Sequence, residues 1–285
     1  MPTELLVVSH LCKDLGPPPG HERIGWRPGG SAYYVSRAAR KLGLKVAVVT
    51  SAGPELDVGK LLGSIPHHCA PSSTTTTFEN IYSVRGRRQT VRDIATTLSW
   101  KHIPPRWRRP TAVLLAPVAG EINQGLLSGW GASLLCVCLQ GWLRRWDRRG
   151  NVRHAPWKPP KLERPINVLF FSREDLDEEE ERDEYAQHAR VSICTEAEKG
   201  ILVRTAPGEA WQRIPGIPAR VKNVTGAGDI FAGAFLFQFL RTGDALASAT
   251  FANAAGSFSV EHVGLRKFPS QSQVEEHLRQ AQRPA

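Results

Sequence analysis

Short, almost wholly apolar runs separated by helix-like stretches recur along this chain, and that alternation restricts it to few architectures. The runs are Leu5–Val8, Val46–Thr50, Ala112–Ala116, Leu134–Leu139, Val168–Ser172 and Val191–Thr195. Each lacks polar alternation, as expected of strands buried on both faces. Ser31–Leu42 reads as a helix between the first two. The pattern predicts an α/β fold: a mainly parallel central sheet between helical layers.

Two stretches depart from it. Between Leu15 and Pro28 the chain is rich in Pro and Gly, and between Ser72 and Thr97 it is Thr-rich and alternating. Thr74–Val84 and Gln89–Ile94 read as a polar hairpin turning at Gly86-Arg87. The expectation is a small β lid over one sheet edge, built from about residues 12–28 and 73–97. Such lids exclude water from a site. Pro156–Pro165 is a connector between core strands, so residues 1–285 are read as a single domain. The acidic run Glu174–Glu184 reads as a solvated start of a helix, where it complements the dipole.

With 41% hydrophobic and 22% charged residues, the composition excludes a disordered or fibrous chain. Met1-Pro2-Thr3-Glu4 has no basic leader and Leu5–Val8 is too short to span a bilayer, so a cytoplasmic protein without membrane contact is expected. Five cysteines, an odd number, fit reduced thiols. The net charge of +10 comes with three basic clusters, Arg85-Gly86-Arg87-Arg88, Arg106-Trp107-Arg108-Arg109 and Arg144-Arg145-Trp146-Asp147-Arg148-Arg149. They are scattered and fit no nucleic-acid module, which argues against a nucleic-acid role. Positive charge also concentrates small polyanions.

The strongest chemical signal is Asn223-Val224-Thr225-Gly226-Ala227-Gly228-Asp229 followed by the apolar run Ile230–Phe239. A Gly-Ala-Gly turn feeding a helix lets backbone N–H groups converge where the helix dipole favours an anion. Asp229, in the first turn, is suited to accept the proton of an attacking hydroxyl in phosphoryl transfer. The bland alternative is a helix cap with packing glycines.

The heptapeptide resembles the second signature of the ribokinase-like (pfkB-type) carbohydrate kinases, Asp/Asn-Pro-Thr-Gly-Ala-Gly-Asp, with Val224 in place of Pro. The resemblance implies Asp229 as catalytic base and Gly226, Ala227 and Gly228 as anion hole. The family's first signature is matched by Gly29-Gly30-Ser31-Ala32 through Lys41-Leu42-Gly43, with Tyr34 where Asn is usual. Asp14 matches the substrate-binding Asp, following Ser9 where a glycine usually ends the strand. Gly29, Gly30 and Tyr34 are thereby implied to line the substrate, as is Gln140 in Leu139-Gln140-Gly141-Trp142-Leu143-Arg144. That text, with Val260-Glu261-His262-Val263-Gly264, resembles the plant-type inositol 3-kinases more than ribokinase or adenosine kinase.

For the nucleotide, Thr195-Glu196-Ala197-Glu198-Lys199-Gly200 is similar to the family's Thr-x-Gly-x-x-Gly loop, with Ala197 at the first Gly. Thr195, Gly200, Thr225, Asn253 and Gly256 are implied to contact ATP. The family's Mg2+-linked Asn-x-x-Glu maps to Ser172-Arg173-Glu174-Asp175, implying Asp175 as a contact through water. What the resemblance implies as a whole is an ATP- and Mg2+-dependent kinase of a small polyol, sugar or cyclitol, acting as a monomer or a lid-mediated homodimer. The departures leave a rival reading, a kinase-like protein that only binds sugar or nucleotide.

Other signals are weaker. Gly53–Lys60 has P-loop composition, but its spacing is wrong and Leu61 stands where Ser or Thr should follow. His67-His68-Cys69 reads as a loop, Cys136-x-Cys138 as two thiols on one strand face, and His262 as a packed or capping residue after a β-like run.

Overall fold

In the computed structural model, which describes residues 3–16, 25–83 and 86–282, all four residues of β1 (Leu5–Val8) are fully buried. Leu5 and Val7 face one core and Leu6 and Val8 the other. In chain order there follow β2 (Cys12–Leu15), β3 (Trp26–Gly29), α1 (Ser31–Leu42), β4 (Val46–Ala52), α2 (Val58–Leu62), β5 (His67–Pro71), β6 (Thr76–Ser83) and β7 (Gly86–Asp93). Next come β8 (Ala112–Leu115), β9 (Leu134–Cys138), β10 (Arg144–Trp146), β11 (Val152–His154), β12 (Ile166–Ser172), α3 (Glu180–Ala186) and β13 (Ala189–Thr195). The chain closes with β14 (Ile201–Arg204), β15 (Gln212–Ile214), α4 (Ala227–Thr242), α5 (Ala245–Val260) and α6 (Gln271–Ala281).

The main sheet runs β15-β14-β13-β12-β9-β8-β1-β4-β5, parallel from β13 to β5 and antiparallel at β14 and β15. Helices α1, α4 and α5 cover one face. The other is covered by α3 and by 3-10 turns and extended segments that bury Trp107, Trp130, Trp142, Trp157 and Tyr185. A second sheet, β3-β2-β6-β7, and a two-stranded ribbon, β10-β11, stand apart. The ribbon meets the second sheet through the Thr90–Asn151 bridge and the Val91 N–H on the Gly150 carbonyl at 2.9 Å.

Several local expectations change. His67-His68-Cys69 is not a loop: it forms the edge strand β5, whose ladder with β4 pairs Val48 with His67 through Ala52 with Pro71. Backbone pairing outweighs a sequence without strand character. Gly86 pairs with Ser83 inside β7, so it is not the turn. Residues 17–24 of the first lid stretch, with Val84 and Arg85 of the hairpin, lie outside the described residues. The stretch before His262 is helix α5, and the His262 ring stacks on Phe258 and bonds its carbonyl at 2.8 Å. The acidic run is not uniformly solvated, because Glu181 turns inward to His154 at 2.8 Å and the Tyr185 hydroxyl at 3.0 Å. All five cysteines are free thiols, and Cys136 and Cys138 share the face toward α4.

At the sheet's carboxyl edge one buried carboxylate joins two loops, and one buried histidine ties that edge to the second sheet. The Glu121 carboxylate accepts the N–H groups of His10, Val118 and Ala119 at 3.3, 2.9 and 2.7 Å, fixing the loops after β1 and β8. Thr76 Oγ1 accepts the Ala95 N–H at 2.9 Å and so donates its own hydrogen to His10 Nδ1 at 2.7 Å. The His10 Nε2–H then donates to the Thr96 carbonyl at 3.0 Å. This chain needs a neutral imidazole, and burial lowers the His10 pKa accordingly. Thr76→Val leaves an N–H and an imidazole nitrogen without partners inside the protein. The expected loss of stability is about 2–4 kcal/mol, read from urea denaturation at pH 7.5.

Candidate active site

Helix α4 is apolar nearly all round, with Ile230 through Phe237 buried. Phe235 packs against Phe170 of the sheet at 5.3 Å, and a Cβ on Gly233 would stand 3.0 Å from the Val35 carbonyl of α1. Held on these sides, α4 can expose only its ends. Its N-cap is Gly226, at φ 78°, and Asp229 lies in its first turn. The N–H groups at this end have no acceptor within the helix. Gly226 is required twice over, since a Cβ there would stand 2.5 Å from the Tyr34 ring and the left-handed φ favours glycine.

A second helix start meets the first. Gly30 caps α1 at φ 83°, and a Cβ there would run into the His10 carbonyl oxygen. Ser31, the first residue of α1, donates its hydroxyl to the Asp229 carboxylate. Burial pushes the Asp229 pKa up to about 6, opposed by Ser31 and by the Arg144 guanidinium and reinforced by Asp14. Asp14, on β2, is buried, with its carboxyl beside Gly29 and its Oδ1 at 3.5 Å from Asn80 Nδ2. Asp229, Asp14, Gly29, Gly30 and Tyr34 thus surround one cleft between α4, α1 and the second sheet. Tyr34 reaches Pro28 O at 3.4 Å and stays protonated, its pKa raised mainly by burial.

Gln140 follows β9 at the carboxyl edge of the sheet, in a turn whose Gly141 N–H bonds the Pro117 carbonyl at 2.9 Å. Thr195 ends β13 on that edge, and its carbonyl accepts the Ser172 hydroxyl at 3.4 Å. Gly200 stands at φ 94°, where a Cβ would collide with the Ile214 carbonyl. Ala197, at φ 49°, is the one non-glycine residue with positive φ among the described residues. On α5, Asn253 donates to the Pro215 carbonyl at 2.9 Å, while Gly256 faces Ala227 of α4. The Thr225 N–H bonds the Asn223 side chain at 2.8 Å, closing the turn before Gly226.

Three residues that the sequence reading passed over belong to this region. Ser31 could have been found as the hydroxyl following the Gly-Gly pair. Arg144 was hidden in a basic cluster, yet it is buried, donates to the Val118 carbonyl at 3.1 Å and lies within electrostatic range of Asp229. Lys267 carried no sequence signal, and it donates to the Asn223 and Thr225 carbonyls, both at 2.7 Å.

Among the described residues, no group of three or more His, Cys, Asp or Glu side chains could hold a metal ion. Asp175 uses Oδ2 at 3.4 Å to cap the Ser172 N–H, and Glu174 beside it is exposed. This donor set fits a hard cation carried chiefly by phosphate oxygens and water, and does not fit an ion held by protein alone. No helix among the described residues is long and apolar enough to cross a membrane.

Residues 166–272 match the family model of the pfkB family carbohydrate kinases. No curated protein matches the chain. Among solved structures, a pyrophosphate-dependent kinase in the ribokinase family, in a sulfate complex, superimposes with a TM-score of 0.78 at 20% identity, covering 95% of this chain and 99% of that one. Such a kinase complexed with a pyrophosphate analog and myo-inositol gives 0.77 at 20% identity, with the same coverages. Arabidopsis thaliana ribokinase complexed with ribose and ATP gives 0.72 at 18% identity, covering 98% and 99%. The chain therefore has the ribokinase-like α/β fold. In sequence it resembles the pfkB carbohydrate kinases from β12 to the first residues of α6, the part that contains the Gly226–Asp229 turn.

A carboxyl group whose pKa is higher folded than unfolded binds more protons in the native state, so its contribution to stability is lost as pH rises from about 4 through about 6. Asp229→Asn removes that penalty. The ligand-free variant should be more stable than the parent at pH 8 by on the order of 1–2 kcal/mol, with the gain vanishing at pH 4, as measured by thermal denaturation at both pH values.

Proposed function

We propose that the protein transfers the terminal phosphoryl group of ATP to a hydroxyl of a small polyol, sugar or cyclitol. The observation that carries this reading is a carboxylate, Asp229, in the first turn of a helix whose starting N–H groups, apart from that of Ala227, which bonds the Val224 carbonyl at 3.1 Å, are placed to take an anion, facing a second carboxylate, Asp14, across one cleft. Asp14 would accept hydrogen bonds from neighbouring hydroxyls of the acceptor, as ionised carboxylates do, with Asn80 alongside. Gly29 leaves the Asp14 carboxyl room. The reacting hydroxyl would donate to Asp229, which takes its proton as the phosphorus–oxygen bond forms. The N–H groups of Gly226, Gly228 and Asp229 would stabilise the charge that spreads over the transferred phosphoryl oxygens, while that of Ala227 bonds the Val224 carbonyl and holds the turn. Arg144 adds positive charge beside Asp229 and favours the ionised form of its carboxyl.

Mg2+ carried by the phosphates would neutralise their charge, with Asp175 reached through water. The nucleotide would lie along Thr195–Gly200 and the face of α5 bearing Asn253 and Gly256, next to the first turn of α4. The second sheet would act as a lid from about residues 12–28 and 73–97, and the chain as one domain. The pyrophosphate-dependent kinases of similar fold favour a second reading on the donor side alone, in which inorganic pyrophosphate occupies the same cradle.

The decisive assay offers ATP or pyrophosphate, with Mg2+, against myo-inositol and other cyclitols, ribose, fructose and nucleosides. One acceptor should be phosphorylated, with log kcat/KM rising with slope one up to about pH 6 and level above it, because Asp229 must be ionised. Asp229→Asn should lower kcat by about 10²–10⁴-fold with donor affinity retained. Turnover unchanged in that variant would remove Asp229 as the base. Donor binding without turnover of any acceptor would favour a binding protein.

A further inference from the structure

Lys267 ends the 3-10 turn Gly264–Lys267 after α5 and is 2% exposed. Burying an ammonium is costly unless its hydrogens are satisfied. Here Nζ donates to Asn223 O and Thr225 O, both at 2.7 Å. Those oxygens belong to the turn immediately before the cradle. The carbonyl of Thr225 and the N–H of Gly226 are opposite ends of one planar peptide unit. Drawing that oxygen toward Lys267 therefore aims the Gly226 N–H the other way, toward the anion. A positive charge on the carbonyl also polarises the peptide and strengthens its N–H as a donor. The turn is pinned from its other side, where the Val260 carbonyl accepts the N–H groups of Lys222 and Asn223 at 2.7 and 3.0 Å and the Asn223 side chain accepts that of Thr225 at 2.8 Å.

We propose that Lys267 is a positioning residue for phosphate binding: its ammonium is a built-in cation behind the cradle that fixes the direction of the Gly226 N–H. This rests on the reading of Gly226–Asp229 as an anion site. Two further observations agree. Burial, with Arg27 nearby, brings the Lys267 pKa down to about 8, which leaves it mostly charged at neutral pH. Arg27, on β3, has a buried Nε without a hydrogen-bond partner. A second positive charge close to Lys267 is unfavourable alone and favourable once an anion arrives.

The test measures affinity for inorganic pyrophosphate and for ATP by calorimetry at pH 7 in wild type, Lys267→Met, Lys267→Arg and Lys267→Ala. Lys267→Met should bind both anions about tenfold or more weakly, because the two carbonyls lose a charged donor. Lys267→Arg should stay within about threefold, since a guanidinium can bond both oxygens. Ammonium chloride should restore most of the lost affinity in Lys267→Ala, whereas tetramethylammonium chloride at equal ionic strength should not. Pyrophosphate affinity within twofold of wild type in folded Lys267→Met would overturn the proposal, as would a loss in Lys267→Ala that ammonium does not repair, or a wild type that binds neither anion. Should Lys267→Ala fold only with ammonium, the cation role stands; should it stay unfolded in both salts, Lys267 is a fold determinant and the proposal fails. Wild type that binds pyrophosphate through Lys267 yet phosphorylates no alcohol would sink the kinase reading and leave this one intact.

Discussion

An apolar helix enclosed on its sides must present its polarity at its ends, and α4 organises the molecule around that constraint. Its phenylalanines lie on the sheet and its Gly233 admits the backbone of α1, so its amino end has a fixed location above the carboxyl edge of the strands. Everything polar that bears on the cleft comes to that end. Ser31 arrives because α1 packs along α4, Asp14 because β2 leaves the neighbouring strand's loop, and Arg144 because the ribbon turns back after β9. The cleft therefore depends more on helix packing than on its own hydrogen bonds. Changes at the α1–α4 contact would move both helix starts together.

Charge in the cleft is arranged in opposition. Asp14 and Asp229 repel each other, and desolvation adds to the cost of ionising Asp229, while Arg144 and the Ser31 hydroxyl offset part of it. A carboxyl balanced near neutrality can lose and regain a proton during turnover, whereas one held by a tight ion pair cannot. Behind the cradle the sign reverses, with Lys267 and Arg27 lying close to one another.

The sequence was most legible where chemistry and secondary structure coincided. Gly226-Ala227-Gly228-Asp229 announces a helix start, which the structure has at Gly226, in the same residues that are proposed as the anion site, and Ser31–Leu42 forms a helix over the range its pattern predicts. The buried strands were legible from their unbroken apolar runs. Edge elements were not: β5 begins with two histidines, and β10, β11 and β15 are three-residue strands, too short and too polar to show a strand period, that pair only with the strand next to them in the chain. Arg144 and Lys267 were illegible for a further reason. A cation's burial depends on which carbonyls surround it, Val118 for one and Asn223 with Thr225 for the other, and no local pattern encodes that encounter. Ala197 is the intermediate case: its positive φ explains why a glycine suits that position of the loop, but only a resemblance drew the eye to it.

The back of the sheet carries a different consequence. Because that layer is built from turns and indoles, six of the eight tryptophans, Trp100, Trp107, Trp130, Trp142, Trp157 and Trp211, belong to it. The second sheet holds only Trp26, on β3 and 48% exposed, and the ribbon only Trp146. Native fluorescence is thus dominated by the face remote from the cleft and reports the integrity of that layer. The emission of Trp26, if the other indoles are held silent, is an optical reporter of the strand that carries Arg27 and leads into Gly29.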